Sequence, residues 1–583
     1  MKRNMLSVPG AVSLLEEICA GRLPWQAIHP FPRQRGDDRA VGDRAVEDIQ
    51  QILERTVDPE AVDTSRQLPP DLPAAMHAEN CLHLLAGAEQ GGRALSPFNA
   101  FRVVEAAARW SVPAGMLLGI HNGIGAAAYL PVLPDGPLRE HISRRMAAGA
   151  VTAMADTEPT GAANRARGTT AVPVHDGTGY LLNGDKLYIG NGPIADLVAV
   201  TATLRGHDGD RTRVFFVDTD TPGFSVSARL RFMGFRGFPN GALSLRDVHV
   251  PAHHLLDERE GEWLTAERAT VLSRGRLYIV AAPALAIARA CLDHSRAYAR
   301  RRTVDGRILA DYPEIRRMTA ESQADTYALE TVARWTMLDG RGDGPTVNLM
   351  PDQVAAKDIT SLLCWRVAER TMTLLAGEGF ETARGKGDRG APAIPLERLF
   401  RDARGTRIAG GTEVLLQMRL AGNLVFSYFY PPPDNADELA GPATVPADLP
   451  AGALSDRNRD HRRALAADIH EYARTCLATA RRFPDRAELL TRSRALVLFG
   501  QLAEELVTVS LVLARAATDG MDPGEQDLAD IYCTGALGRI AVWRQELADA
   551  LADDMPAYGR AAGRLLDDIE PSHTGTDVLA GAS

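Results

Sequence analysis

From about residue 40 to 150, apolar residues recur every three to four positions, with Pro and Gly marking the turns. VGDRAVEDIQQILER (41–55) and LPAAMHAENCLHLLAG (72–87) both show this spacing, which lines one face of an α-helix. Near residue 151 the pattern changes. GYLLNGDKLYIG, ADLVAVTATL, TRVFFVDTD and ALSLRDVHV are short, β-rich runs separated by Gly, Asp, Asn and Pro. They predict a compact antiparallel β-domain over 151–260. Helical periodicity resumes at 261 and runs to 428, interrupted by the Gly-rich segment GEGFETARGKGDRGAPAIP. A Pro/Asp/Ala-rich linker at 429–455 sets off residues 456–583. There Leu489, Leu496, Ala503 and Ser510 recur every seven residues with Leu506, Val509 and Leu513 beside them, the pattern of a bundle helix. Residues 1–37 form a Pro- and Arg-punctuated leader before the first helical domain, 38–150. The expected fold class is α+β: helices, a β-domain, helices, and an appended helical bundle.

Composition narrows the partners. The chain of 583 residues carries a net charge of −10, which argues against a nucleic-acid or anionic-membrane surface. Lys2, Lys186, Lys357 and Lys386 are the only lysines, a bias toward Arg that reads as codon usage in a GC-rich genome. Six cysteines stand far apart with no CxxC pair, so neither a zinc site nor a disulfide framework is indicated and a cytoplasmic location is expected. The most apolar stretch, ALVLFGQLAEELVTVSLVLA, is broken by Gln501, Glu504 and Glu505 and reads as a buried helix, not a membrane span. His253 and His254 adjoin at a strand end, where neighbouring side chains point apart, so no metal site is expected.

Six motifs then fall in a telling order. MADTEPTGAANRARGTTA opens the β-domain, GYLLNGDKLYIGNG continues it, and MGFRGFPNGALSLRDVHVPAHHLL closes it. SRGRLYIVAAPALAIARACLDHSRAYARRRTVDGR, TLLAGEGF and IPLERLFRDARGTRIAGGTEV follow. Together they resemble the acyl-CoA dehydrogenase family over roughly residues 40–425, and the appended bundle is similar to that of its very-long-chain members. The resemblance implies an N-terminal helical domain, a middle antiparallel β-domain, a C-terminal four-helix-bundle domain and the extra C-terminal bundle. It also implies FAD held between the β-domain and the second helical domain, an acyl thioester substrate on CoA or acyl carrier protein, and a homodimer or a hetero-oligomer with a related subunit. In that chemistry a Glu removes the substrate α-proton, a step worth typically 10²–10⁴-fold, while the flavin accepts the β-hydride.

Mapped residue by residue, the resemblance assigns cofactor contacts to Thr157, to Tyr188-Ile189-Gly190, to Arg302, and to Gly377 and Thr412. It assigns substrate contacts to Arg276 and Gly411. Several positions depart from the family pattern. Ala163 and Asn164 replace a Ser and an Asp; Gly190 replaces a hydroxyl residue; Asp305 replaces a Phe; Pro313 and Thr373 each replace a Gln. The largest departure is the base. Most members carry it at the position of Gly410 and a minority at the position of Gly275, so both places are vacant here. Glu413 and Glu378 lie near in sequence and are the weak substitutes, leaving the catalytic residue unknown. The expected function is an atypical FAD-linked acyl-thioester oxidoreductase. A catalytically silent or half-site subunit of a heteromeric dehydrogenase, and a flavin-dependent oxygenase on the same fold, are the alternatives.

Overall fold

The computed structural model describes residues 11–566 apart from 165–166, 175–176, 206–209, 257–265, 339–346, 440, 442–452, 519–521 and 553–554. From residue 11 on, the leader is a folded part of the molecule. Its short helix α1 (Leu14–Cys19) buries Leu14, Leu15, Ile18 and Cys19, and the Leu15 N–H donates to Asp352 Oδ1 (3.1 Å). The first helical domain follows, with α2 (Gly36–Thr56), α3 (Pro97–Trp110), α4 (Val112–Gly123) and α5 (Pro137–Ala147). In α2 the apolar spacing read from the sequence becomes a buried stripe of Ala45, Ile49, Ile52 and Leu53.

The β-domain holds β1 (Thr152–Ala155), β2 (Thr170–Pro173), β3 (Gly179–Gly190), β4 (Leu197–Leu204), β5 (Arg211–Asp218), β6 (Phe224–Arg229) and β7 (Asn240–Pro251). They form one sheet in the order β1-β4-β2-β3-β7-β6, with β5 on β4. The sheet is antiparallel in most of its pairings, as expected, with two exceptions. Both β1 and β2 run parallel to β4, sharing one of its edges, while β5 covers the other edge antiparallel. Parallel neighbours require a long connection, and the intervening β2–β3 hairpin supplies it for β1 and β4. Strand β4 is buried on both faces: Leu197 and Ala199 join one core cluster and Val198 and Val200 another.

After the sheet, α6 (Ala266–Arg276) passes through a π-helical turn, Leu277–Ala281, into α7 (Ala282–Arg301). A two-stranded hairpin, β8 (Thr303–Val304) and β9 (Arg307–Ile308), leads to α8 (Pro313–Met337) and α9 (Met350–Phe380). These are followed by α10 (Leu396–Thr406) and α11 (Glu413–Arg419), and a second π-helical turn, Leu420–Val425. The appended bundle is α12 (Asp456–Arg482), α13 (Ser493–Thr518) and α14 (Pro523–Leu551), with α13 and α14 packed on α8. Two stretches, Val271–Arg301 and Ser493–Thr518, are long and apolar enough to cross a membrane, but 83% and 94% of their most apolar windows are buried inside the fold, as core helices are. All six cysteines are free and buried.

Candidate functional site

The TEPTGAAN loop leaves β1 and is fixed by a buried ion pair. Glu158 receives Lys186 Nζ at 2.8 Å and the backbone N–H groups of Gly168 and Thr169 at 2.6 and 2.9 Å. Burial alone would raise this carboxyl; Lys186 and Thr169 outweigh it and hold it at about 2. The Leu187 N–H donates to the Thr157 carbonyl at 2.9 Å, tying the loop to β3. Beyond these anchors Ala163 and Asn164 lie exposed.

At the far end of β3, Tyr188 adopts φ +61° and leaves its ring 57% exposed, while Ile189 is buried. Gly190 is enclosed. A Cβ there would stand 2.7 Å from Phe238 Cζ and 3.1 Å from Ile120 Cδ1, so a side chain would have to displace the Phe238 ring. Gly377 differs: it follows a break in α9 at Ala376 (φ +49°, ψ −129°), and a Cβ on it would meet nothing within 4 Å. Thr412 precedes the first residue of α11 and makes no side-chain cap bond. Arg302 ends α7 and forms no ion pair among the described residues. It opens the exposed hairpin β8–β9, whose tip is Asp305 and Gly306 and whose Val304 and Ile308 face outward.

The two glycines at the positions where the resemblance leads one to expect a base differ. Gly275 sits at a helix crossing, where a Cβ would fall 2.2 Å from the Gly123 carbonyl oxygen on α4. A side chain there is sterically excluded. Gly410 (φ +70°) is exposed, and its Cβ would stand 3.7 Å from Arg276 Cγ and Val280 Cγ2 and 3.9 Å from Lys357 Cε, all ordinary contacts. A side chain at Gly410 would thus meet no clash, although the positive φ would strain it.

The ionisable groups around Gly410 are engaged elsewhere. Lys357 is 0% exposed and donates to the Gly411 carbonyl at 2.7 Å; desolvation brings its ammonium down to about 8. Glu413 is captured by Arg407, whose other nitrogen approaches Asp358 at 3.8 Å. Glu378 is captured by Arg301 at the end of α9. The two substitutes considered from sequence thus have cationic partners of their own. Arg276 is half-buried with no ion pair among the described residues; burial, and then Arg419, depress its charged form. Arg419 reaches the loop carbonyl of Ala162 at 3.5 Å. Both arginines directly precede the π-helical turns, a feature common at functional sites. A separate cavity of about 200 Å³, lined among others by Asp63, Arg109, Arg398 and Asp402, includes none of these residues.

Sequence reasoning missed one class of residue for which a signal existed. The three described lysines, Lys186, Lys357 and Lys386, are all buried. Each makes a specific bond: Lys186 to Glu158, Lys357 to the Gly411 carbonyl, Lys386 to the carbonyls of Glu378 and Glu381. In a chain that otherwise uses Arg, a lysine marks a site needing a compact ammonium.

Three family models match the chain in order: acyl-CoA dehydrogenase N-terminal domain at 43–150, middle domain at 153–248 and C-terminal domain at 265–424. The chain is 31% identical over 438 residues to probable acyl-CoA dehydrogenase FadE10 of Mycobacterium tuberculosis, covering 74% of this chain and 65% of that protein's length. It is 26% identical over 343 residues to the very long-chain specific acyl-CoA dehydrogenase of Bos taurus mitochondria, covering 57% of this chain and 50% of that protein. Among solved structures, the acyl-CoA dehydrogenase of Bacillus anthracis complexed with FAD superposes with a TM-score of 0.71 at 21% identity, over 94% of this chain and 93% of that one. The butyryl-CoA dehydrogenase of Megasphaera elsdenii gives 0.59 at 23% identity, over 68% and 100%. With its three domains matched in sequence and in fold, the chain belongs to the acyl-CoA dehydrogenase family.

Proposed function

We propose that the protein is an FAD-linked flavoprotein that oxidises an acyl thioester, on CoA or acyl carrier protein, whose α-proton is already acidified by the substrate. The observation that carries this reading is Gly410: the space for a base is open beside Arg276, yet no free carboxylate of the described residues stands in it. The residues fit FAD, though with fewer polar contacts than the family pattern supplies. Tyr188 offers an exposed aromatic face, Gly377 leaves the break in α9 unobstructed, and Arg302 has a free guanidinium for a phosphate. FAD bound there supplies the hydride acceptor.

The chain's own residues then orient and shield. Glu158 and Lys186 hold the loop after β1 in place, and Arg276 offers positive charge beside the vacancy at Gly410. Lys357, without accessible surface, positions the Gly411 carbonyl and is not the base. A substrate with a second electron-withdrawing group, such as a β,γ double bond, has an α-proton acidic enough to pass to solvent water at the exposed Gly410 position. The outward hairpin, with Arg302 at its root and apolar Val304 and Ile308 on it, suits contact with a second subunit.

The test is an absorption spectrum of the purified protein with identification of any released cofactor, followed by anaerobic titration with acyl thioesters. The expected outcome is bound FAD, bleached by an α-acidified acyl-CoA and not by a simple saturated one. Installing the carboxylate in Gly410→Glu should raise bleaching by the saturated thioester by at least about 100-fold. The enclosed Gly190, which removes a family flavin contact, favours a second reading, a silent subunit beside a complete dehydrogenase. A colourless protein that takes up no FAD would establish that reading instead.

A further inference from the structure

The contact between the first helical domain and the β-domain contains a group of side chains unrelated to the acyl-thioester site. His141 lies on α5, Asp218 ends β5, and His254 sits in the short 3₁₀ turn Ala252–His254 after β7. One ligating atom from each lies within 4.8 Å of the other two. We propose that His141, Asp218 and His254 bind a divalent transition-metal ion of the zinc class, which clamps α5 onto the β-domain.

The arrangement has the outer interactions that such a site needs. His254 Nδ1 lies 3.1 Å from the Phe216 carbonyl. With the Nδ1–H donated there, the neutral ring carries its lone pair on Nε2, and metal-binding histidines are commonly oriented by such a backbone acceptor. Arg145 Nε lies 3.1 Å from Asp218 Oδ1, an ion pair without hydrogen-bond geometry, and Oδ2 is the oxygen on the His141 side. His141 Nε2 stands 3.2 Å from an Asp218 oxygen, and although buried it makes no hydrogen bond of good geometry.

A plain His–Asp ion pair accounts for part of this and leaves His254 unexplained. That ring is only 5% exposed, and its centroid lies 4.0 Å from that of His141. Two imidazoles and one carboxylate make a donor set suited to zinc. Zinc–ligand bonds of about 2.0–2.2 Å require the three donors to close by roughly an ångström, within the reach of side-chain rotation. His141 and Asp218 keep 12% and 21% of their side chains exposed, so an ion can enter and a water can complete the coordination.

The ligands join two domains, so occupancy should be read in the stability of the whole chain as well as in binding. The full-length protein, stripped with chelator, is titrated with Zn(II) against a chromophoric competitor and then with Co(II). One equivalent should bind, Co(II) should develop visible bands of a low-coordinate N/O site, and Zn(II) should raise the thermal midpoint. His141→Gln and His254→Gln should each weaken Zn(II) binding by at least about 100-fold and abolish the thermal shift. Circular dichroism and gel filtration check that each variant folds. Absence of stoichiometric binding by the wild-type protein would overturn the assignment. So would binding that both histidine variants retain, which would place the metal elsewhere among the 14 histidines of the chain.

Discussion

Gly275 and Gly410 look alike in the sequence, each a glycine where the family resemblance leads one to expect a carboxylate. In the structure they are opposites. Gly275 is required by a helix crossing, where the Gly123 carbonyl would touch any Cβ, and Gly410 faces open space bounded by Arg276, Val280 and Lys357. The first position is closed by the architecture and the second is open. Other motif positions divide in the same way. Glu158 is kept because it anchors a loop through Lys186, whereas Gly190 is filled in by Phe238 and Ile120. Retained residues are therefore not by themselves a sign of retained chemistry.

The architectural side should break most severely at Glu158. Glu158→Gln leaves Lys186 buried without its counter-charge and should cost on the order of 3–5 kcal/mol in chemical denaturation. The pH dependence follows from the same pair. Because the folded carboxyl is depressed to about 2 from an ordinary 4.5, its stabilisation is full above 4.5 and is lost as pH falls toward 2; the variant should lack that part of the acid limb.

Next comes the vacancy itself. Gly410→Glu should speed flavin bleaching by a saturated acyl-CoA at least about 100-fold, or about 2.7 kcal/mol of barrier, while its positive φ costs roughly 1–2 kcal/mol of stability. If it gains nothing, the space at Gly410 is not the base position. Gly275→Ala should be more damaging than its size suggests, by about 1–3 kcal/mol, because the crossing helices must part, and it should confer no activity. The smallest effect on stability should come from Gly377→Ala, which meets no atom of the chain and should shift the thermal midpoint little.

Local pattern made most of the fold legible. The buried stripe of α2 and the two-faced burial of β4 follow from period and composition alone. The parallel pairing of β1 and β2 with β4 was not legible, because pairing direction depends on how the strands meet in space. At the site, the motifs located Gly410 and Arg276, but only side-chain placement shows Arg407 drawing Glu413 away and the crossing at Gly123 closing off Gly275. The trio His141, Asp218 and His254 was invisible for the same reason. The adjacent pair His253-His254 drew attention in the sequence, while the two partners of His254 come from distant elements.

The folded leader also has a mechanical consequence. Residues 13–33 are held by contacts with distant parts of the chain. Leu15 bonds to Asp352, the Ala20 carbonyl accepts from Asn435, and the Phe31 N–H and the Arg33 guanidinium both donate to Thr518 of α13. The N-terminal strap therefore buckles the appended bundle to the body of the molecule, in parallel with the covalent linker. Cutting the backbone between Leu439 and Leu454 should leave two fragments that travel together through gel filtration, held by this strap and by the packing of α13 and α14 on α8, and deleting residues 1–33 first should lower the denaturant concentration at which they part.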